Sequence, residues 1–142
     1  MKRKVVIAPP FTAALVLSIA PAFAEKEAAG DAEAGRLAFN NNCRTCHSVK
    51  EGDNRLGPNL HAVIGREAGS EDYAYSAALA GWARMWDAET LDRFIADPEA
   101  VIPGNKMKPY TGISDAATRA DIIAYLSEAG GEPEEAEAED AE

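Results

Sequence analysis

The stretch Cys43-Arg44-Thr45-Cys46-His47 governs how the rest of this 142-residue chain is read. Two thiols separated by two residues and followed at once by an imidazole have the spacing at which a c-type haem is attached. The cysteines add across the two haem vinyl groups as thioethers, and the histidine next in line is carried under the iron as its proximal ligand. The segment therefore implies one haem c, held by Cys43 and Cys46 and ligated by His47. Two other readings of these residues are weaker. A zinc site needs a second Cys/His pair, and His61 is the only other histidine. A thioredoxin-like redox pair belongs beside a βαβ pattern, and none surrounds it.

Upstream, Lys2, Arg3 and Lys4 precede an apolar run from Val5 to Ala20 and the small-residue site Ala22-Phe23-Ala24. This is the layout of a secretory signal peptide over 1–24, cleaved after Ala24, and it predicts a periplasmic protein. The alternative, a retained membrane anchor, is opposed by Pro9 and Pro10, which break the run, and by Pro21, which ends it. Export fits haem attachment outside the cytoplasm. Both cysteines are used by the haem, so no disulfide is expected. At the other end, residues 132–142 read EPEEAEAEDAE, with seven acids and no aromatic or branched side chain. Such a segment cannot bury enough to offset its ordering entropy and is expected to be a disordered tail. One domain over 25–131 remains. It is small enough that an apolar macrocycle at its centre would supply core that side chains alone do not.

Charge narrows the partners. Losing three signal-peptide cations takes the net charge from −10 to −13, and setting aside the seven tail acids leaves −6 on the body. That excludes non-specific binding to nucleic acid or an anionic membrane surface. Arg44, Lys50, Lys106 and Lys108 flank the haem-binding segments and form a candidate cationic patch, although four ordinary solvated cations explain them equally well.

In order along the body, Asp31 is suited to cap a helix over 32–39 that ends at Asn40-Asn41-Asn42. Gly35 and Phe39 share one face of it, and a glycine there suggests a second helix crossing closely. Residues 48–69 show no sustained period, and a structureless connection of that length usually marks function or a packed non-peptide object. Within that loop, the neighbourhood of Pro58 is positioned to offer a carbonyl to the second ring nitrogen of His47. Residues 73–80 predict a short helix or turn stopped by Gly81. A further helix runs from an Asp87 cap to Pro98, and the last follows Ser114 or Asp115 through Ile122, Ile123, Tyr125 and Leu126. Between them lies Ile102-Pro103-Gly104-Asn105-Lys106-Met107-Lys108-Pro109-Tyr110, a stiff loop with one methionine. Met1 leaves with the leader and Met85 reads as a packing residue, so Met107 is the candidate sixth ligand. His61, in a loop, is the weaker competitor.

From about Gly30 to Ala129 these residues resemble the class I c-type cytochromes, and within them the soluble bacterial carriers close to mitochondrial cytochrome c. The likeness rests on Gly30-Asp31, Gly35, Phe39, the Cys-X-X-Cys-His segment, Gly57-Pro58-Asn59-Leu60 and Gly65-Arg66. It continues through Tyr75, Trp86, Pro98, Ile102 to Met107, and Ile123-Ala124-Tyr125-Leu126. It implies an all-α cytochrome c fold, with first and last helices crossing near Gly35, Phe39 and Tyr125 and with His47 and Met107 on opposite sides of the iron. It also implies that Arg66, Tyr75 and Trp86 surround a haem propionate, for which guanidinium, phenol and indole N–H are suitable donors. Three departures stand out. Phe94 occupies a position where many relatives carry tyrosine, the segment after Met107 is one residue longer, and the lysine-rich docking face is thin.

With two protein ligands on the iron and no open position for substrate, the expected function is electron transfer by a monomer and not catalysis. Membrane redox complexes would be the donor and acceptor: a quinol:cytochrome c oxidoreductase on one side, a terminal oxidase or photosynthetic reaction centre on the other. The alternatives are a haem enzyme or gas-binding cytochrome with an open sixth site, and a membrane-tethered cytochrome subunit.

Overall fold

The computed structural model describes residues 30–129; the leader over 1–24 and the acidic tail over 132–142 lie outside them. The first helix, α1, is Ala32–Asn42. Asp31 caps it from extended backbone, its carboxylate accepting the Ala34 N–H at 2.9 Å, and Glu33 supplies the acid that the first turn favours. The three asparagines do not end the helix as expected. The N–H groups of Cys43 and Arg44 still reach the Phe39 carbonyl, at 2.8 and 3.1 Å, and Asn42 Nδ2 donates back to the Ala38 carbonyl at 2.8 Å. The helix therefore runs straight into the cysteine segment.

Four more helices follow: α2 (Ala77–Ala80), α3 (Ala88–Ala96), α4 (Pro98–Val101) and α5 (Ala116–Glu128). In the 73–80 segment only the last four residues are helical, because Ser76 is the N-cap, its hydroxyl accepting the Leu79 N–H; Gly81 closes the turn. Asp87 and Asp115 cap α3 and α5. The sequence reading did not anticipate α4. Its signal was the dipeptide Asp97-Pro98, in which Asp97 ends α3, caps α4 by accepting the Ala100 N–H at 3.0 Å, and leaves proline at the first helical position. Among the described residues there are no strands, only one antiparallel bridge between Glu67 and Met85. There Ala68 N–H donates to Arg84 and Trp86 N–H to Arg66, both at 2.8 Å. In extended backbone neighbouring side chains point opposite ways. Trp86 is accordingly buried, whereas Met85, expected to pack, is 53% exposed.

The tightest crossing is between α1 and α5. A Cβ added to Gly35 would lie 1.9 Å from the Asp121 carbonyl oxygen, so the two backbones meet without a side chain between them. The Phe39 and Tyr125 rings pack 5.5 Å apart beside that point, and the Asp31 N–H donates to the Asp121 carboxylate at 2.8 Å. Arg119 fastens the start of α5 to α3 through Asp92 (2.7 Å) and to the preceding carbonyls of Ile113 and Ser114. Core residues Phe39, Leu91, Phe94, Ile95, Ile102, Ile122 and Leu126 are all buried. Helices account for 41 of the 100 described residues, so most of the backbone around this core is irregular. No helix among the described residues is long and apolar enough to cross a membrane.

Helix propensity alone favours Gly35→Ala by up to about 1 kcal/mol. The missing space at Asp121 costs more, about 1–3 kcal/mol of overpacking. Gly35→Ala should therefore lower the thermal midpoint by several degrees, at about 4–8 °C per kcal/mol for a domain of this size. Leu37→Ala, on the 55% exposed face of the same helix, should leave it almost unchanged. A raised midpoint for Gly35→Ala in thermal circular dichroism would disprove the close crossing.

Candidate haem site

Cys43 is the C-cap of α1, and the N–H groups of Cys46 and His47 both return to its carbonyl, at 3.0 and 2.9 Å. One tight turn thus carries both thiols and the imidazole. The cysteines are unpaired and half-buried. Burial, helped by the neighbouring Cys46, pushes the Cys43 thiol up to about 11. A dithiol redox centre needs the opposite, a thiol lowered toward neutrality, so the geometry disfavours that alternative. Nor do any three His, Cys, Asp or Glu side chains among the described residues converge as a metal-holding group, which removes the ligand set for zinc.

His47 is buried, and its Nδ1 lies 2.7 Å from the Pro58 carbonyl oxygen. A carbonyl only accepts, so Nδ1 carries the proton and Nε2 keeps its lone pair. Burial holds the imidazole below its ordinary pKa, with the Pro58 bond opposing, which favours the neutral ring that metal ligation requires. The approach depends on Gly57: a Cβ there would sit 2.4 Å from His47 Cε1. Gly57 N–H is itself fixed to the Cys46 carbonyl at 2.8 Å, so the loop and the haem-binding turn are laced together.

The sequence reading gave Asn59 no role of its own, yet it is 1% exposed and organises this loop. Its side-chain N–H₂ donates to Asn54 and to Glu71 (2.7 Å), and its Oδ1 accepts from the His61 N–H. Arg66 donates to the Asn59 and His61 carbonyls, at 2.8 and 2.7 Å, and pairs with Glu71 at 3.2 Å. The only sequence signal for Asn59 was its place beside Gly57-Pro58, because a buried amide leaves no hydropathy pattern.

These elements enclose a cavity of about 520 Å³, within the range of sites that bury most of a small ligand. Cys43, Cys46, His47 and Pro58 line it, as do Arg66, Tyr75, Trp86 and Met107. Apolar side chains from α3 and α5, among them Leu91, Phe94, Ile95 and Ile122, complete the lining. Trp86 packs at a tilt between Trp82 and Phe94, with centroids 4.9 and 5.1 Å away, and burial raises the Tyr75 phenol. Met107 is half-buried, its N–H held by Asn105 Oδ1 at 2.9 Å. Phe94 brings no hydroxyl to the cavity; Tyr110, which also lines it, donates its hydroxyl to the Ile95 carbonyl at 2.6 Å. His61 turns instead to the Val49 carbonyl at 3.2 Å and is not part of the lining. Of the four candidate patch cations, Lys106 and Lys108 reach the cavity rim, whereas Arg44 and Lys50 do not line it.

An apolar interior open to one turn that presents two thiols and a neutral imidazole suits a haem joined through thioethers. The glycine cradle at position 57 and the carbonyl behind the ring fit the same group.

Comparison with known proteins agrees. The cytochrome c family model matches residues 32–130. A cytochrome c-type cytochrome cy of Rhodobacter capsulatus is 41% identical over 111 residues, covering 75% of this chain but only 55% of that protein. Cytochrome c of Tetrahymena pyriformis is 43% identical over 68% of this chain and 87% of its own length. Among solved structures, cytochrome cH from Methylobacterium extorquens superposes with a TM-score of 0.63 at 43% identity, covering 68% of this chain and 97% of that one. The chain belongs to the cytochrome c family of electron-transfer proteins and carries one haem c, attached where Cys43 and Cys46 precede His47.

Proposed function

We propose that this protein is a periplasmic single-electron carrier whose haem iron is ligated by His47 and Met107, exported by cleavage after Ala24 and acting as a monomer. A membrane quinol:cytochrome c oxidoreductase would reduce it, and a terminal oxidase or photosynthetic reaction centre would oxidise it. The observation that carries this reading is the pairing inside one apolar cavity of a histidine with its Nδ1 proton committed to Pro58 and a thioether on a backbone-anchored loop. When bound, the haem supplies a one-electron iron couple, and thioether ligation raises its potential.

The chain's own residues have distinct tasks in this scheme. Pro58 and Gly57 fix the imidazole plane, and Asn105 fixes the main chain at Met107. Leu91, Phe94, Ile95 and Ile122 exclude water, which keeps reorganisation small when charge changes. Arg66, Tyr75 and Trp86 would receive a propionate, with Glu71 already taking part of the Arg66 charge. An open-site haem enzyme would want an acid–base group over the iron near neutrality. His61 faces Val49, and burial pushes the Tyr110 phenol up to about 12, so neither suits that role.

Three measurements test the scheme. The native ferrous protein should bind carbon monoxide slowly and incompletely at neutral pH; rapid, complete binding would overturn the carrier reading. Met107→Ala should remain a folded haem protein that binds carbon monoxide fully and loses roughly 0.1–0.3 V of potential, a fraction of the span that axial ligands control. An unchanged potential would make Met107 the wrong ligand. Intact mass of the secreted protein should correspond to residues 25–142 plus one haem, and a retained leader would point instead to a tethered subunit.

A further inference from the structure

Glu99 lies on α4, eight residues ahead of Met107, and its carboxylate spans the methionine loop. One oxygen accepts the Gly104 N–H at 2.9 Å; the other accepts Asn105 Nδ2 at 3.1 Å and Lys108 Nζ at 2.8 Å. Asn105 passes the restraint on, because its Oδ1 accepts the Met107 N–H. An exposed ion pair such as Lys108–Glu99, with side chains 58% and 52% exposed, contributes little alone. Here the same carboxylate also gathers two further donors, Gly104 and Asn105, so that with Lys108 its partners flank the methionine, and networks of this kind restrain more than their separate pairs. Lys108 and the Gly104 N–H keep Glu99 below the usual carboxylate range, so it is ionised at neutral pH. What remains without it is short-range: Asn105 to Ile102 and Lys108 to Lys106, through the backbone and the Asn105 amide.

We propose that Glu99 is a positioning residue that clamps the Gly104–Lys108 segment against α4 and so holds the Met107 thioether in the haem cavity. The role in ligation rests on Met107 being the sixth ligand; the clamp on the segment does not. Removing the carboxylate should let the segment open more often without unfolding the domain, because Ile102, the anchor before it, stays buried.

The test uses ferric holoprotein. In Glu99→Ala, amide hydrogen exchange at Gly104 to Lys108 and the rate of imidazole binding to the iron should each rise about tenfold, with exchange in α1 and α5 unchanged. Glu99→Gln keeps one acceptor oxygen but turns an N–H₂ donor toward the remaining partners, so it should restore only part of the protection. Glu89→Ala, an exposed acid on α3, is the control and should change neither rate. Exchange and imidazole rates in Glu99→Ala within twofold of the parent would overturn the proposal. If Met107→Ala left the weak near-infrared methionine–iron band intact, the ligand assignment would fail, while faster segment exchange in Glu99→Ala would still support the clamp.

Discussion

The crossing of α1 and α5 at Gly35 is the contact on which the other features rest. Because the two backbones touch at Asp121, α1 can neither slide nor rotate without losing the Phe39–Tyr125 packing and the bond from Asp31. The far end of α1 is Cys43 itself, and α5 contributes Ile122 and Leu126 to the cavity lining. One helix pair therefore fixes both where the macrocycle is attached and part of the wall it rests on. Arg119, bound to Asp92 and to the carbonyls ahead of α5, extends that frame to α3.

Around this frame the chain is mostly irregular, and its polar groups are satisfied by a few side chains, of which Asn59 and Asn105 are buried. Asn59, Arg66 and Glu71 serve the loop that follows His47. Glu99 and Asn105 do the same for the loop that carries Met107. The two loops follow one physical plan: a backbone segment without regular structure is given a carboxylate and a buried amide as partners, leaving its apolar side chains free to face the cavity.

Much of this was legible in the sequence because its signals are local. The thiol spacing, the aspartate caps at 31, 87 and 115, and the glycine stop at 81 each act within a few residues, and each appears where expected. The close crossing at Gly35 could be inferred because a mid-helix glycine has few other uses. The misses have one cause in common. Asn59 as a hub, α4 with its Glu99 carboxylate, and the exposure of Met85 depend on partners far away in sequence or on a backbone direction set by pairing with another loop. The asparagine run was misjudged for a related reason: turn-forming residues yielded to a helix whose carbonyls still had donors in reach.

The place of Cys43 sets how stiffly a covalent group is mounted. It is the half-buried C-cap of α1, and the Cys46 and His47 N–H groups return to its carbonyl. No slack backbone separates that sulfur from the helix locked against α5 at Gly35. A macrocycle joined there inherits the rigidity of the helix pair.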